Sequence, residues 1–129
     1  MDWIASILNQ YKLGKVLAEE NSIGKVYIDA LNSRLPIKIT NWTTSNKSKH
    51  ELVTNFQIAL ENERVKLIND STLMNELKKY TQEINPKTKT ITYNGKNAHD
   101  DTVIATMLSY YAISSNSGQY TIYKKGRKL

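Results

Sequence analysis

Apolar residues recur at helical spacing in five stretches of the chain, and shorter apolar or alternating runs lie between them. Trp3, Ile4, Ile7, Leu8 and Tyr11 share one face of a helix expected from Asp2 to Lys12. Asp2 stands in its first turn, where a carboxylate opposes the helix dipole. Gly14 then interrupts the pattern, and Lys15-Val16-Leu17-Ala18 reads as a short buried strand. Asn21 or Ser22 is placed to cap a second helix with an apolar face of Ile23, Val26, Tyr27, Ala30 and Leu31. Pro36 stops that helix, and Ile37-Lys38-Ile39-Thr40 alternates like a strand.

A polar run from Thr43 to Lys49 leads into a third helix, whose inward positions are Leu52, Val53, Phe56 and Leu60. Val65 to Ile68 reads as a brief strand. Asp70 or Ser71 caps a helix that turns Leu73, Met74 and Leu77 inward. Asn85-Pro86 marks a turn, Thr88 to Tyr93 is rich in strand formers, and Asn94-Gly95 is a strong turn signal. A last helix is expected from His99 to Ser114, burying Val103, Ile104, Met107, Leu108 and Tyr111. Helices alternating with short strands predict a layered α/β domain over residues 1–115. Ser115 to Gly118 reads as a linker, so residues 116–129 are expected to form a flexible basic tail.

Charge changes this picture more than composition does. The formal net charge is +6, and residues 65–129 hold 10 basic against 5 acidic side chains, compared with 8 against 7 in residues 1–64. Lys124, Lys125, Arg127 and Lys128 crowd the last six positions. Such an excess favours polyanions through counterion release, and it also serves as a solvated surface. The absence of cysteine excludes disulfides and thiolate zinc sites and agrees with a cytosolic setting. No apolar run approaches the length of a membrane span.

Two places concentrate candidate chemistry. Glu19 and Glu20 end the first strand, at the carboxyl edge that borders ligand crevices in α/β sheets. His99, Asp100 and Asp101 stand where the last helix begins. Either aspartate serves as an ordinary cap there. Two neighbouring carboxylates nevertheless repel each other unless a cation or positive donors compensate. His99 and His50 taken singly read as surface histidines, because no second histidine or cysteine stands at ligand spacing.

In order along the chain, four segments resemble the nuclease domain of phage terminase large subunits. Glu19-Glu20-Asn21-Ser22-Ile23-Gly24 is similar to its Glu-x-Asn-x-x-Gly element. Thr44-Ser45-Asn46-Lys47-Ser48-Lys49 resembles its Ser-Lys segment before a long helix. Met74-Asn75-Glu76-Leu77 with Tyr80 resembles its Glu-Leu-x-x-aromatic helix, and His99-Asp100-Asp101-Thr102-Val103-Ile104-Ala105 its His-Asp-Asp-x-Val-x-Ala signature.

The resemblance implies an RNase H-like fold with a central sheet flanked by helices, and a two-metal endonuclease that cleaves concatemeric viral DNA during genome packaging. It carries Glu19 over as one metal-binding acid, and Asp101, with Asp100 beside it, as another, for Mg²⁺ or Mn²⁺. His99 would orient a water or contact the scissile phosphate. Lys47, Lys49, Lys124, Lys125, Arg127 and Lys128 would contact DNA.

The implied partners are double-stranded DNA, the remainder of the large subunit, the small subunit and the portal, in the cytoplasm of an infected bacterium. The family's first aspartate lies on an opening strand that has no counterpart before Asp2, and no phosphate-binding Gly-x-x-x-x-Gly-Lys motif occurs. A partial domain is therefore expected. The alternative readings are a catalytically inactive nucleic-acid-binding or assembly module, and a fragment of a related junction resolvase or transposase.

Overall fold

The computed structural model describes residues 2–11, 14–20, 24–95, 99–114, 123–124 and 127–128. In chain order the elements are α1 (Asp2–Asn9), β1 (Val16–Glu20), α2 (Gly24–Asn32), β2 (Ile39–Thr43), α3 (Asn46–Glu61) and α4 (Ser71–Lys79). They are followed by β3 (Thr81–Ile84), β4 (Ile91–Asn94), α5 (Asp101–Ser114), β5 (Tyr123–Lys124) and β6 (Arg127–Lys128). The α/β class is as expected, and the described strands pair as three two-stranded sheets. Backbone proximity divides the chain into two compact units, one of residues 1–44 with 112–129 and one of residues 45–111.

The first unit is built on a β–α–β crossover. β1 and β2 run parallel, from Val16 opposite Ile39 to Glu20 opposite Thr43, and α2 carries the chain between them. Asn32, the last residue of α2, sets the start of β2. Its side-chain oxygen accepts from the Ile39 N–H at 2.6 Å, and its amide nitrogen donates to the Ile39 carbonyl at 3.3 Å. Arg34 pairs with Asp2 at the start of α1. Ala5, Ile28, Leu31 and Ile39 form the core, with Ile4, Val16, Ala18 and Leu35 packed against it.

The inward faces of the two short helices differ from expectation. Trp3 is 66% exposed and Val26 69%, while Ala5 and Ile28 are buried in their place. Leu31 is buried and Ile4 packs against the core as expected, so the faces are rotated in part, with Ile7 and Tyr27 also turned outward. In a helix of two or three turns, the face that meets the sheet is chosen by the packing partner, so the bulkiest side chains need not supply it. β1 also continues past Ala18 to Glu20, and β2 starts two residues later than expected, at Ile39. The cap expected at Asn21 or Ser22 and the inward Ile23 lie outside the described residues.

The second unit opens with α3, which Ser45 starts through a reciprocal capping box. The Ser45 hydroxyl accepts from the Ser48 N–H at 3.1 Å, and the Ser48 hydroxyl accepts from the Ser45 N–H at 2.9 Å. α3 ends in a Schellman turn, with Arg64 N–H to Ala59 C=O at 2.9 Å and Glu63 N–H to Leu60 C=O at 3.0 Å. Glu63 holds the left-handed position at φ 54°. Along α3, Leu52, Phe56 and Ala59 are buried, and Leu60 faces outward.

Val65 to Ile68, expected as a strand, has no regular structure, and Ile68 is 73% exposed. Four residues without a pairing strand gain nothing from an extended conformation. Asp70 caps α4 by accepting from the Leu73 N–H at 2.9 Å. β3 and β4 then form an antiparallel hairpin, Thr81 opposite Asn94 through Ile84 opposite Ile91. Asn85 shapes its turn by accepting from the N–H groups of Lys87 and Thr88. α5 buries Val103, Met107, Leu108 and Ala112.

Candidate functional site

Glu19 is the penultimate residue of β1, and its side chain is exposed. The parallel register carries the ends of both strands to the same edge, so Thr44, the residue after β2, arrives beside it. The Thr44 hydroxyl donates to Glu19 Oε1 at 2.5 Å. A carboxylate at the carboxyl edge of a parallel pair, oriented by a neighbouring hydroxyl, is suited to hold a cation or direct a proton.

The second acidic group lies in the other unit, at the start of α5. The Asp100 carbonyl accepts from the Ile104 N–H at 2.9 Å, which makes Asp100 the capping residue and Asp101 the first residue of the helix. Lys49 of α3 brings its ammonium to 3.9 Å from Asp100 Oδ2, with both side chains about a quarter exposed. Asp101 is exposed in the first helical turn.

The amides an N-cap side chain ordinarily serves are those of Thr102 and Val103. Here they bond to Glu76 of α4. Its Oε2 accepts from Thr102 N–H at 2.9 Å, Thr102 Oγ1 at 2.5 Å and Val103 N–H at 3.3 Å. Glu76 is 7% exposed and is the buried charged side chain of the described residues. The Thr102 hydroxyl bond holds its carboxyl below the usual carboxylate range, against the opposing effect of burial. Bonds from the Thr102 and Val103 amides and the nearby charge of His99 add to the lowering.

His99 itself is exposed, immediately before Asp100. Lys47 is exposed in the first turn of α3. Lys124 pairs with Arg127, and Tyr123 with Lys128, along the backbones of β5 and β6, whereas Lys125 lies outside the described residues. His50, read as a surface histidine, places Nδ1 2.6 Å from the Tyr93 hydroxyl and so ties α3 to β4.

Sequence reasoning passed over Thr44 and Glu76 as working residues. A signal for Glu76 was present: it stands three residues after buried Leu73, on the apolar stripe of α4. Charged residues rarely occupy such positions unless paired.

The chemistry of these acids fits a hard divalent cation, because carboxylate oxygens are the ligands Mg²⁺ and Mn²⁺ prefer. Among the described residues, no three His, Asp or Glu side chains gather closely enough to hold a metal ion. Asp100 and Asp101 form a pair in one unit, and Glu19 stands in the other.

No helix among the described residues is long and apolar enough to cross a membrane. No curated protein and no solved structure matches the chain. The family model described as the terminase RNaseH-like domain matches residues 1–112, a span that takes in β1 with Glu19, α4 with Glu76, and the start of α5 with both aspartates. The chain belongs to the terminase RNase H-like domain family.

Proposed function

We propose that this domain contributes to metal-dependent cleavage of double-stranded DNA during viral genome packaging, with Glu19, Asp100 and Asp101 as its metal-binding acids. One observation carries the reading. Asp100 and Asp101 stand side by side at the start of α5, while the helix amides that Asp100 would otherwise cap are bonded to Glu76. The Asp100 carboxylate is thereby left to act on something other than its own helix, and Asp101 is exposed beside it.

A bound divalent ion supplies Lewis-acid polarisation of the phosphodiester and charge stabilisation at the leaving oxygen. The chain's own residues have separate tasks. Thr44 orients the Glu19 carboxylate. Lys49, beside Asp100, and Lys47, two residues earlier on α3, present positive charge to the DNA backbone. His99, exposed next to the acids, orients a water or contacts the phosphate. The basic residues Lys124, Lys125, Arg127 and Lys128 extend the DNA contact. The remainder of a terminase large subunit, the small subunit and the portal are the proposed protein partners, in the host cytoplasm.

Titration of the full chain with Mn²⁺ by calorimetry tests the site. Binding is expected, with loss in Asp101→Ala and in Glu19→Ala, and unchanged binding in both variants would refute the assignment. The Lys49–Asp100 pair favours a second reading, since a protein cation already compensates one of the two acids. In that reading the domain binds nucleic acid without cutting it. Salt-dependent DNA binding with no cleavage in Mg²⁺ or Mn²⁺ would select it.

A further inference from the structure

We infer that Glu76 is a positioning residue for the Asp100–Asp101 pair: it takes over the capping of α5, so that the Asp100 carboxylate is not held as the helix cap. The inference rests on the metal-binding reading above. Four observations from this chain support it.

First, Glu76 reaches α5 across 26 residues of sequence, and one oxygen, Oε2, gathers the Thr102 N–H, the Thr102 hydroxyl and the Val103 N–H. Second, these two amides are the ones the Asp100 side chain would serve as an ordinary N-cap. The Asp100 carboxylate instead faces Lys49. Third, Glu76 is buried, and a buried carboxylate persists only where its charge is satisfied by strong donors. Fourth, its charge lies at the positive end of α5, where the helix dipole favours an anion.

The lowered pKa of the carboxyl agrees with this arrangement, since the Thr102 hydroxyl bond that lowers it most is made to the ionised form. The geometry has a direct consequence. With Glu76 in place, the first turn of α5 is held from behind, and Asp100 and Asp101 project from a fixed backbone. Without it, the Thr102 and Val103 amides need a new acceptor, and Asp100, at the capping position, is placed to supply it. Asp100 would then be drawn from metal ligand to helix cap.

The test compares Mn²⁺ affinity, by calorimetry, and the electron paramagnetic resonance line shape of bound Mn²⁺ across variants of the full chain. Glu76→Gln keeps the shape but removes the charge. Thr102→Val keeps the Glu76 charge and the backbone bonds but removes the hydroxyl. Thr102→Ser restores the hydroxyl. Ala59→Gly lowers stability within α3, away from this contact, and controls for mere loss of folding.

Glu76→Gln and Thr102→Val are expected to weaken Mn²⁺ by about 10- to 100-fold, the usual cost of losing a group that orients a ligand. Both are expected to alter the resonance line shape. Thr102→Ser should restore both, and Ala59→Gly should leave both as in the parent. Parent affinity in Glu76→Gln and Thr102→Val, in a protein where Asp101→Ala abolishes binding, would overturn the positioning role and leave the metal site standing. A loss of affinity in Ala59→Gly equal to that in Glu76→Gln would also overturn it. Absence of Mn²⁺ binding in the parent, or binding unaffected by Asp101→Ala, would overturn the metal site and the inference together.

Discussion

The Thr44 hydroxyl donates to Glu19 Oε1 at 2.5 Å, joining two residues 25 apart in sequence at the common edge of β1 and β2. The bond exists because the strands are parallel and in a register that ends them together, Glu20 opposite Thr43. Thr44→Val removes the hydroxyl and keeps the branched shape. Mn²⁺ affinity is expected to fall about tenfold or more, with Thr44→Ser near the parent. Because both side chains are exposed, the thermal midpoint should barely move; isothermal titration beside a melting curve checks both statements.

Acid stability should report on Glu76. Its carboxyl is held below the ordinary value of 4.5, first by the Thr102 hydroxyl bond. A group whose folded-state pKa is depressed contributes stability above its unfolded pKa and loses it as pH falls through the folded pKa. The loss should therefore begin below about pH 4.5 and deepen with further acidification. Urea unfolding between neutral pH and about pH 2 is expected to show a shallower acid slope in Glu76→Gln than in the parent; equal slopes would contradict the pairing.

Salt dependence separates two roles for Lys49. If its ammonium contacts a DNA phosphate, Lys49→Ala should lower the slope of log affinity against log salt by about 0.9. If it serves only as partner to Asp100, the slope should stay as in the parent. DNA binding measured at several salt concentrations distinguishes them.

Ser45 makes a local contribution that can be measured independently of function. Ser45→Ala removes the capping box that starts α3 and is expected to cost about 0.5–2 kcal/mol. Ser45→Asp, which restores an acceptor, should recover most of it in chemical denaturation.

The core and the exposed apolar residues should behave oppositely. Phe56 is 2% exposed and meets Tyr110 edge-on with ring centroids 6.1 Å apart. Phe56→Ala is expected to cost about 3–5 kcal/mol. Ile68→Ser, at an exposed position where the sequence pattern predicts a strand, should fall within about 0.5 kcal/mol of the parent. Thermal or urea unfolding of the two variants decides this.

Much of this protein was legible in the chain because the forces concerned are local. The Asp70 cap bonds an amide three residues away, and the apolar stripe of α4 repeats within one or two turns. These place the helices and put Glu19, Asp100 and Asp101 at element ends, whatever the rest of the fold does. The family motifs are read in the same way, as short spans of adjacent residues.

The tertiary structure decided the rest. It buried Ala5 and Ile28 rather than Trp3 and Val26, because the face of a short helix is settled by what packs against it. It left Val65 to Ile68 without a pairing strand. It gave Glu19 to Thr44, Asp100 to Lys49 and the first amides of α5 to Glu76. Each of those pairings joins residues 25 or more apart. Local periodicity carries no information at that range, and only the folded backbone brings such partners within hydrogen-bonding or ion-pairing distance.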